Sequence, residues 1–295
     1  MVQPDRDRLP FRFGPEAPVL ALVGASLLWG LAWIPLKALA ALGLAGLPLS
    51  AASFGAASLV LLPLLLRSRR EWRGQARWLV LIGLLGGYAN LSFTLALMHG
   101  EVVRVMVLFY LLPAWGAIGG RLFLGEAVDG SRLSAVALAL AGAFLVLGGP
   151  EALGGSLSWV DVLALTCGIS FAGNNLVFRA RQSLPVPTKV AAMLTGCFVL
   201  AVALTAATGP PLPAPGTPVW GWAAAYGVGW VLVATAGTQW GVTHVAAARS
   251  AVIIILELLT AILSAVLIGG EAMSATQVAG AACIVIAAYL EARRG

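Results

Sequence analysis

Ten apolar segments, each close to twenty residues long, constrain this chain more than any other feature of its sequence. A helix of about twenty apolar residues spans the hydrocarbon core of a bilayer. Only 10% of the residues are charged, whereas soluble domains carry roughly 25%. The sequence therefore predicts an all-α membrane protein. The predicted segments cover residues 19–38, 49–66, 77–98, 102–123, 131–148, 158–178, 188–207, 218–241, 247–268 and 274–291.

An internal repeat divides these segments into two halves. Residues 99–127 align without a gap on residues 244–272, and eight of the 29 positions are identical. The matches include both histidines of the chain, Arg104 with Arg249, and the Gly-Glu-Ala sequence that ends each copy. Because uncommon residues match in one register, we predict a duplication. Five segments per copy is an odd number, so the second half enters the membrane from the opposite side, as in many secondary transporters.

The repeat sets the predicted domain boundaries. Residues 1–18 form a tail, 19–148 the first five-helix repeat, 149–157 an outer linker and 158–292 the second five-helix repeat. A shorter alignment, at an offset of 142 residues, places the first segment opposite the sixth. Because the first segment has this counterpart, we predict that it is retained rather than removed as a signal peptide.

The distribution of lysine and arginine predicts the orientation. Cytoplasmic loops are enriched in these residues, and with the N-terminus inside, 16 of the 18 lie on the cytoplasmic side. Only Lys37 and Arg104 fall outside. Both termini are then cytoplasmic, and the net charge of +6 is a topology signal rather than a sign of nucleic-acid binding. The sixteen are Arg6, Arg8, Arg12, Arg67, Arg69, Arg70, Arg73, Arg77, Arg121, Arg132, Arg179, Arg181, Lys189, Arg249, Arg293 and Arg294.

Polar side chains inside the apolar segments mark the candidate substrate site, because such groups are destabilising in lipid unless they face a partner or a water-filled cavity. Glu257 is the only acidic residue in the middle of a segment. We expect it to bind a substrate amine or carry a proton; the alternative is a structural bond to a neighbouring helix. The pairs Asn90–Thr94 and Thr235–Gln239 occupy matching positions of the two halves. Hydrogen bonding between helices is an equal alternative for these pairs.

Aromatic and amide side chains complete the candidate substrate site. Trp29 and Trp33 share a face of the first segment, and Trp115 lies near the middle of the fourth. Tryptophan also marks the membrane interface, which is the alternative for each. Aromatic rings beside amide and carboxylate groups would suit a ligand with an apolar body and a charged head. The remaining candidates are Tyr110, Asn174 and Asn175.

Several other residues are predicted to be structural. Pro35 and Pro113 interrupt the first and fourth segments, where a missing backbone donor favours a kink. Glu126 and Glu271 follow the fourth and ninth segments, and we interpret them as carboxylates that stabilise a helix N-terminus. The three cysteines and the Gly-x-x-x-Gly spacings are interpreted as packing features.

Two other classes of function are disfavoured. Within the segments there is no HExxH motif, no GxSxG motif and no pair of carboxylates, and the topology puts His99 and His244 on opposite sides of the membrane. No catalytic activity, metal or cofactor is therefore predicted. A receptor or scaffold subunit is disfavoured because the loops between segments are short.

The chain resembles the drug/metabolite transporter superfamily, specifically its EamA-type exporters. The residues that carry the resemblance are the pattern Leu-Leu-Pro-Ala to Leu-Gly-Glu-Ala at 111–127, its weaker copy ending at Ala272, and the Trp-Gly pair at 29–30. Within that family it is most similar to the YddG group of aromatic amino-acid exporters. The resemblance implies ten spans, a central cavity bounded by the first, third, fourth, sixth, eighth and ninth, and a scaffold role for the fifth and tenth.

The sequence thus favours a secondary transporter that exports amino acids, preferably aromatic and other apolar ones, by alternating access through a central cavity. A multidrug or other small-metabolite exporter is the alternative, since Glu257 could equally bind cations. The predicted partners are a small-molecule substrate and the lipid bilayer, and the sequence is compatible with a monomer. The predicted location is the bacterial inner membrane.

Overall fold

The computed structural model describes residues 16–125, 130–146, 158–214, 216–244 and 247–292, and the regular structure in these ranges is helical, with no strand. The predicted tail lies largely outside them. The predicted linker 149–157, Glu126 and the arginines near both termini lie wholly outside them.

A 3-10 turn covers Arg73–Gln75 and a π-helical stretch covers Gly227–Leu232. The α-helices are α1 (Ala17–Gly30), α2 (Trp33–Ala41), α3 (Gly46–Arg67), α4 (Arg69–Trp72), α5 (Ala76–His99), α6 (Val102–Phe109), α7 (Leu112–Leu124), α8 (Gly130–Val146), α9 (Trp159–Ala180), α10 (Val186–Thr208), α11 (Pro218–Tyr226), α12 (Val233–His244), α13 (Ala247–Leu267) and α14 (Ala275–Ala292).

Among the described residues, 7 helical segments are long and apolar enough to cross a membrane. Three shorter apolar helices, Val136–Val146, Leu256–Leu267 and Ala275–Ala287, lie in the fifth, ninth and tenth predicted segments. The structure agrees with an all-helical, multi-pass membrane protein, and ten spans stays a prediction. The seven are Ala17–Ala41, Gly46–Arg67, Arg69–His99, Val102–Phe123, Trp159–Ala180, Val186–Thr208 and Pro218–Gly241.

Two of these segments break beside a proline, as the sequence predicts. The first is divided between α1 and α2, where the Leu31 carbonyl accepts from the Ile34 N–H at 3.1 Å. A regular helix would offer that carbonyl the N–H of residue 35, and Pro35 has none. The fourth is divided between α6 and α7, just before Pro113. The π-helical stretch between α11 and α12 contains no proline and was not predicted.

Helix α5 is a packing centre, in contact with α3, α9 and α10. Its contact with α10 is close because glycines face each other. A Cβ on Gly87 would come within 2.5 Å of the Gly196 carbonyl carbon, and one on Gly196 would overlap the backbone of Gly83. The glycine spacing at 83 and 87 therefore serves packing, as predicted. Elsewhere α1 packs on α12 and α13, and α8 packs on α14.

Many large apolar side chains lie on the surface of this bundle. Leu20, Phe123 and Leu267 are 68%, 77% and 79% exposed, which a bilayer tolerates and water does not favour. Inside, the Cys167 and Cys197 side chains are buried free thiols, in agreement with a packing role. Apolar side chains therefore face both the interior and the outside of the bundle.

Candidate functional site

Five aromatic rings from four parts of the chain meet inside the bundle. Phe109 at the end of α6 is the hub: its ring centroid lies 5.0 Å from that of Phe93 on α5, 5.8 Å from Phe171 on α9 and 5.5 Å from Tyr110. Trp29 on α1 meets Phe93 edge to face at 6.2 Å. These separations are typical of favourable aromatic pairs. We call these five residues the aromatic cluster.

The aromatic cluster connects to the single mid-segment carboxylate through Tyr110. The Tyr110 hydroxyl donates to the Ile254 carbonyl on α13 at 3.0 Å. Glu257 lies one turn further along α13, where its side chain interacts with the same hydroxyl. Two residues predicted independently as site residues are therefore in contact, and they bring an apolar aromatic wall and a carboxylate together.

A glycine beside Trp29 brings α1 against the turn of α13 that carries Glu257. A Cβ on Gly30 would come within 2.6 Å of the Glu257 backbone carbonyl and 2.7 Å of the Thr260 Cβ. Since real Cβ atoms do not approach so closely, α1 can lie against α13 here only with glycine. The Trp29–Gly30 pair thus fixes the contact between α1 and α13 and directs the neighbouring tryptophan into the aromatic cluster.

Three of the four members of the two predicted polar pairs are buried, and Asn90 and Thr235 donate to carbonyls of their own helices. Asn90 on α5 donates to the Gly86 carbonyl at 2.8 Å, and Thr235 on α12 donates to the Val231 carbonyl at 2.7 Å. Thr94, next to Phe93 of the aromatic cluster, is 5% exposed. The fourth member, Gln239, is half-buried on α12.

Asn174 faces a different interface from the aromatic cluster. Its side chain is fully buried between α5 and α10, where the amide nitrogen lies 3.8 Å from the Met193 sulfur. In the described part of the chain its amide oxygen has no hydrogen-bond partner. Such a group is destabilising by about 1–3 kcal/mol unless something bonds it. Asn175, the next candidate, is half-buried on the same helix.

The other two predicted tryptophans lie outside the aromatic cluster. Trp33 is buried, and its indole N–H donates to the Ser264 hydroxyl on α13 at 3.0 Å. Trp115 on α7 lines an apolar groove of about 460 Å³ against α8 and α9. Its indole N–H has no partner among the described residues. Of the predicted site residues, Trp29 and Tyr110 belong to the aromatic cluster, and Glu257 adjoins it through Tyr110.

Sequence reasoning missed the three phenylalanines of the aromatic cluster. Phe93 and Phe109 each stand directly before a predicted candidate, Thr94 and Tyr110. Phenylalanine in an apolar segment carries no signal of its own, because most such residues face lipid or core. Helical periodicity relates residues of one helix only. It could not connect Phe93, Phe109 and Phe171, because each lies on a different helix.

Charged side chains hold the first turn of α6, at the opposite end of that helix from Phe109. Arg104 makes a two-bond contact with Asp161 at the start of α9, Nε to Oδ1 at 2.6 Å and the terminal nitrogen to Oδ2 at 2.9 Å. The Glu271 carboxylate accepts from the N–H groups of Val102 at 2.7 Å and Val103 at 3.1 Å. Glu271 therefore stabilises a helix N-terminus as predicted, but that of α6 rather than of the helix that follows it.

Lys37 completes this group of charges. Its ammonium lies 3.9 Å from the Glu271 carboxylate and 5.3 Å from the centroid of the Trp33 ring. Within the described ranges, no three His, Cys, Asp or Glu side chains are placed to hold a metal ion. The polar chemistry at this end of the helices is therefore ion pairing and helix capping.

Comparison with known proteins finds a family likeness in one part of the chain. A helical bundle of many apolar spans with a carboxylate and aromatic rings inside it is typical of membrane transporters. Residues 17–148 match the model of the EamA-like transporter family. This part of the chain is therefore similar to an EamA-like transporter domain, and the apolar helices of the described residues agree with a multi-pass membrane protein.

Solved structures share the fold over nearly the whole chain. One, described only as a crystal structure of protein, has a TM-score of 0.61 and 20% sequence identity, and the match covers 93% of this chain and 96% of that one. At this identity the likeness concerns the fold alone. No curated protein matches the chain.

Proposed function

We propose that the protein is a secondary transporter that exports amino acids, preferably aromatic and other apolar ones, by alternating access. The observation that carries the proposal is the contact of the aromatic cluster with Glu257, made through Tyr110. Five rings offer an apolar surface for a side chain, and the carboxylate offers a partner for a substrate ammonium group. Rings beside a cation add an attraction of about 0.5–2 kcal/mol.

The Tyr110 hydroxyl supports an exchange at Glu257. A hydroxyl has one hydrogen, and here it is donated to the Ile254 carbonyl. In that arrangement the Tyr110 oxygen can bond Glu257 only when the carboxyl carries a proton. An ionised Glu257 needs a hydrogen-bond donor. That donor is either the Tyr110 hydroxyl, once it turns away from the Ile254 carbonyl, or a substrate ammonium group. A proton and a substrate amine would therefore compete for one carboxylate.

The helix contacts support an inverted duplication with ten spans. The duplication pairs the first segment (α1) with the sixth (α9), the third (α5) with the eighth (α12) and the fourth (α7) with the ninth (α13). When each helix is replaced by its counterpart, the α5–α9 contact becomes the α12–α1 contact. The same exchange turns α1–α13 into α9–α7. The pairs α3–α10 and α8–α14 map onto themselves. In this arrangement the second segment packs on the seventh, and the fifth packs on the tenth. The aromatic cluster and Glu257 lie on helices from both halves.

We further propose that the termini are cytoplasmic, in a bacterial inner membrane. The arginines at the end of α3 and in α4 support this orientation, since such residues favour the cytoplasmic side. The ion-paired end at the start of α6 then faces outward.

A multidrug or small-metabolite exporter stays the second candidate. One observation favours it: the five rings and Glu257 suit an organic cation without a carboxylate group, since no member of the aromatic cluster is basic. The two candidates differ in whether the substrate carboxylate contributes to binding.

Uptake into proteoliposomes tests both candidates. We expect labelled phenylalanine and tryptophan to enter, and Glu257→Gln to lower uptake at least about tenfold, because a hydrogen bond to a charged group contributes about 1.5–3 kcal/mol. Glu101→Gln, on an exposed carboxylate near the start of α6, is the matched control and should transport normally. Uptake of phenethylamine in place of phenylalanine would identify the cation exporter. Equal uptake by Glu257→Gln and Glu101→Gln would remove Glu257 from the site.

An imposed proton gradient separates the two roles of Glu257. Gradient-dependent amino-acid uptake that disappears in Glu257→Gln would indicate proton exchange at this carboxyl. Uptake that ignores the gradient would leave Glu257 as a binding residue of a facilitative carrier.

A further inference from the structure

A pocket of arginines lies at the end of the bundle opposite the start of α6. It is an open cavity of about 480 Å³ where α3 passes into α4, and four guanidinium groups line it within a stretch of seven residues. We call it the arginine pocket. Its lining residues are Leu66, Arg67, Arg69, Arg70 and Arg73.

Hydrogen bonds fix the turn that presents these arginines. The Trp72 indole N–H donates to the Leu65 carbonyl at 2.9 Å, which folds α4 back against the end of α3. The Ser68 hydroxyl donates to the Leu64 carbonyl at 3.0 Å and receives a bond from the Thr188 hydroxyl on α10 at 3.1 Å. The arginine pocket is therefore built on a tethered elbow rather than on a loose loop.

The same stretch of sequence contains four arginines and one carboxylate, Glu71. In the described part of the chain, none of these arginines lies within ion-pair distance of a carboxylate. Neighbouring basic groups differ in this respect. Arg181 lies 3.9 Å from the centroid of the Trp78 ring, and the buried Lys189 donates to the carbonyls of Phe178 and Arg181. In the arginine pocket, by contrast, four arginines line one open cavity.

An apolar track leads along α3 to this charge. Leu59, Val60 and Leu66 on that helix are 69%, 53% and 58% exposed. Leu66 is also part of the pocket lining. A ligand that fits both features has a phosphate at one end and a hydrocarbon chain at the other.

We infer that the arginine pocket binds the phosphate headgroup of an anionic phospholipid whose acyl chain lies along α3. Guanidinium groups bond phosphate oxygens in pairs, which a lysine cannot do. Basic pockets of this kind between or beside membrane helices recognise anionic headgroups. Four guanidinium groups match a headgroup with two phosphates better than one with a single phosphate.

Lipid binding to the purified full-length protein tests this inference. The protein in a neutral detergent is titrated with cardiolipin, phosphatidylglycerol, phosphatidylcholine or inorganic phosphate, and the thermal unfolding temperature is measured. Bound lipid is counted by mass spectrometry of the intact complex. We expect cardiolipin, and to a smaller extent phosphatidylglycerol, to raise the unfolding temperature and to stay bound. Phosphatidylcholine and inorganic phosphate should do neither.

Matched variants separate the pocket from general surface charge. Arg69→Gln/Arg70→Gln should weaken cardiolipin binding about tenfold or more, since each basic group near an anionic headgroup contributes about 1 kcal/mol. Arg77→Gln/Arg121→Gln removes the same charge outside the pocket and should change it far less. Arg69→Lys/Arg70→Lys keeps the charge, and we expect it to lose part of the affinity because the paired bonds are lost.

Three results would overturn the inference. Equal cardiolipin binding by the two glutamine variants would mean that only general surface charge attracts the lipid. A rise in unfolding temperature with inorganic phosphate as large as with cardiolipin would indicate a site for free phosphate. The absence of any lipid effect on the unaltered protein would exclude the lipid directly, whatever the variants do.

Discussion

The two ends of the bundle use charge in opposite ways. At the start of α6, both basic side chains, Lys37 and Arg104, have a carboxylate partner, and the carboxylates are largely buried, with Asp161 only 2% and Glu271 16% exposed. At the start of α4, four arginines surround open space without a carboxylate partner among the described residues. Charge at the α6 end is part of the packing, whereas charge at the α4 end is directed toward something outside the protein.

The α6 end also joins parts of the chain that are far apart in sequence. Asp161 and Glu271 come from the predicted second half, and the groups they hold belong to the predicted first half. They fix the first turn of α6, whose last residue is Phe109, the hub of the aromatic cluster. A helix of eight residues is about 12 Å long, so this end and the candidate site are linked by one short rigid element.

Asp161→Asn should have the largest effect on stability of any single change at either end. It leaves Arg104, whose side chain is only 29% exposed, without its two-bond partner. Removing one member of a fully buried pair costs about 3–5 kcal/mol, and partial exposure of the arginine reduces the expected loss to about 2–3 kcal/mol. The measurement is the thermal unfolding temperature in detergent.

A double variant controls for the asparagine itself. Arg104→Gln/Asp161→Asn removes both charges and should recover part of the lost stability, because no unpaired cation remains. An unfolding temperature unchanged by Asp161→Asn would mean that charge at the α6 end is not part of the packing, and the contrast between the ends would fail.

Glu271→Gln should have an intermediate effect. The amide keeps one acceptor for the first turn of α6 but loses the negative charge that favours a helix N-terminus. We expect a loss of about 1 kcal/mol, again read from thermal unfolding. Lys37→Gln is the natural comparison: its ammonium is 3.9 Å away and 40% exposed, so that pair should contribute at most about 0.5 kcal/mol. Equal losses in the two variants would show that the ion pair, rather than the helix cap, is the role of Glu271.

Local sequence rules predicted the helices and two of their interruptions, since apolar length and a missing proline donor act within one segment. The partner of Glu271 was beyond those rules. A carboxylate after α13 was expected at the next helix N-terminus in the chain, and it caps one 169 residues away. The π-helical stretch Gly227–Leu232 had no local signal either.

In the candidate site, too, sequence reasoning predicted features within one segment and missed contacts between segments. Tyr110 and Glu257 were predicted because polar groups stand out in an apolar segment, and the structure brings them together. Phe93 and Phe171 could not be predicted, because their role depends on a ring from another helix. Asn174 was predicted as a site residue because it is polar within an apolar segment, and only the structure shows that it faces α5 and α10.

Arg70→Gln should have the smallest effect on stability of the changes considered, as expected for a side chain that faces outward. The side chain is exposed and takes no part in the hydrogen bonds that hold the elbow between α3 and α4. Its removal should therefore change the unfolding temperature in lipid-free neutral detergent by the equivalent of less than about 0.5 kcal/mol.

Trp72→Phe, which keeps the ring but removes the N–H bonded to Leu65, is the matched change to the elbow itself. It should lose about 1 kcal/mol. If Arg70→Gln destabilises the lipid-free protein as much as Trp72→Phe does, the arginine is part of the packing after all. The two ends of the bundle would then use charge in the same way.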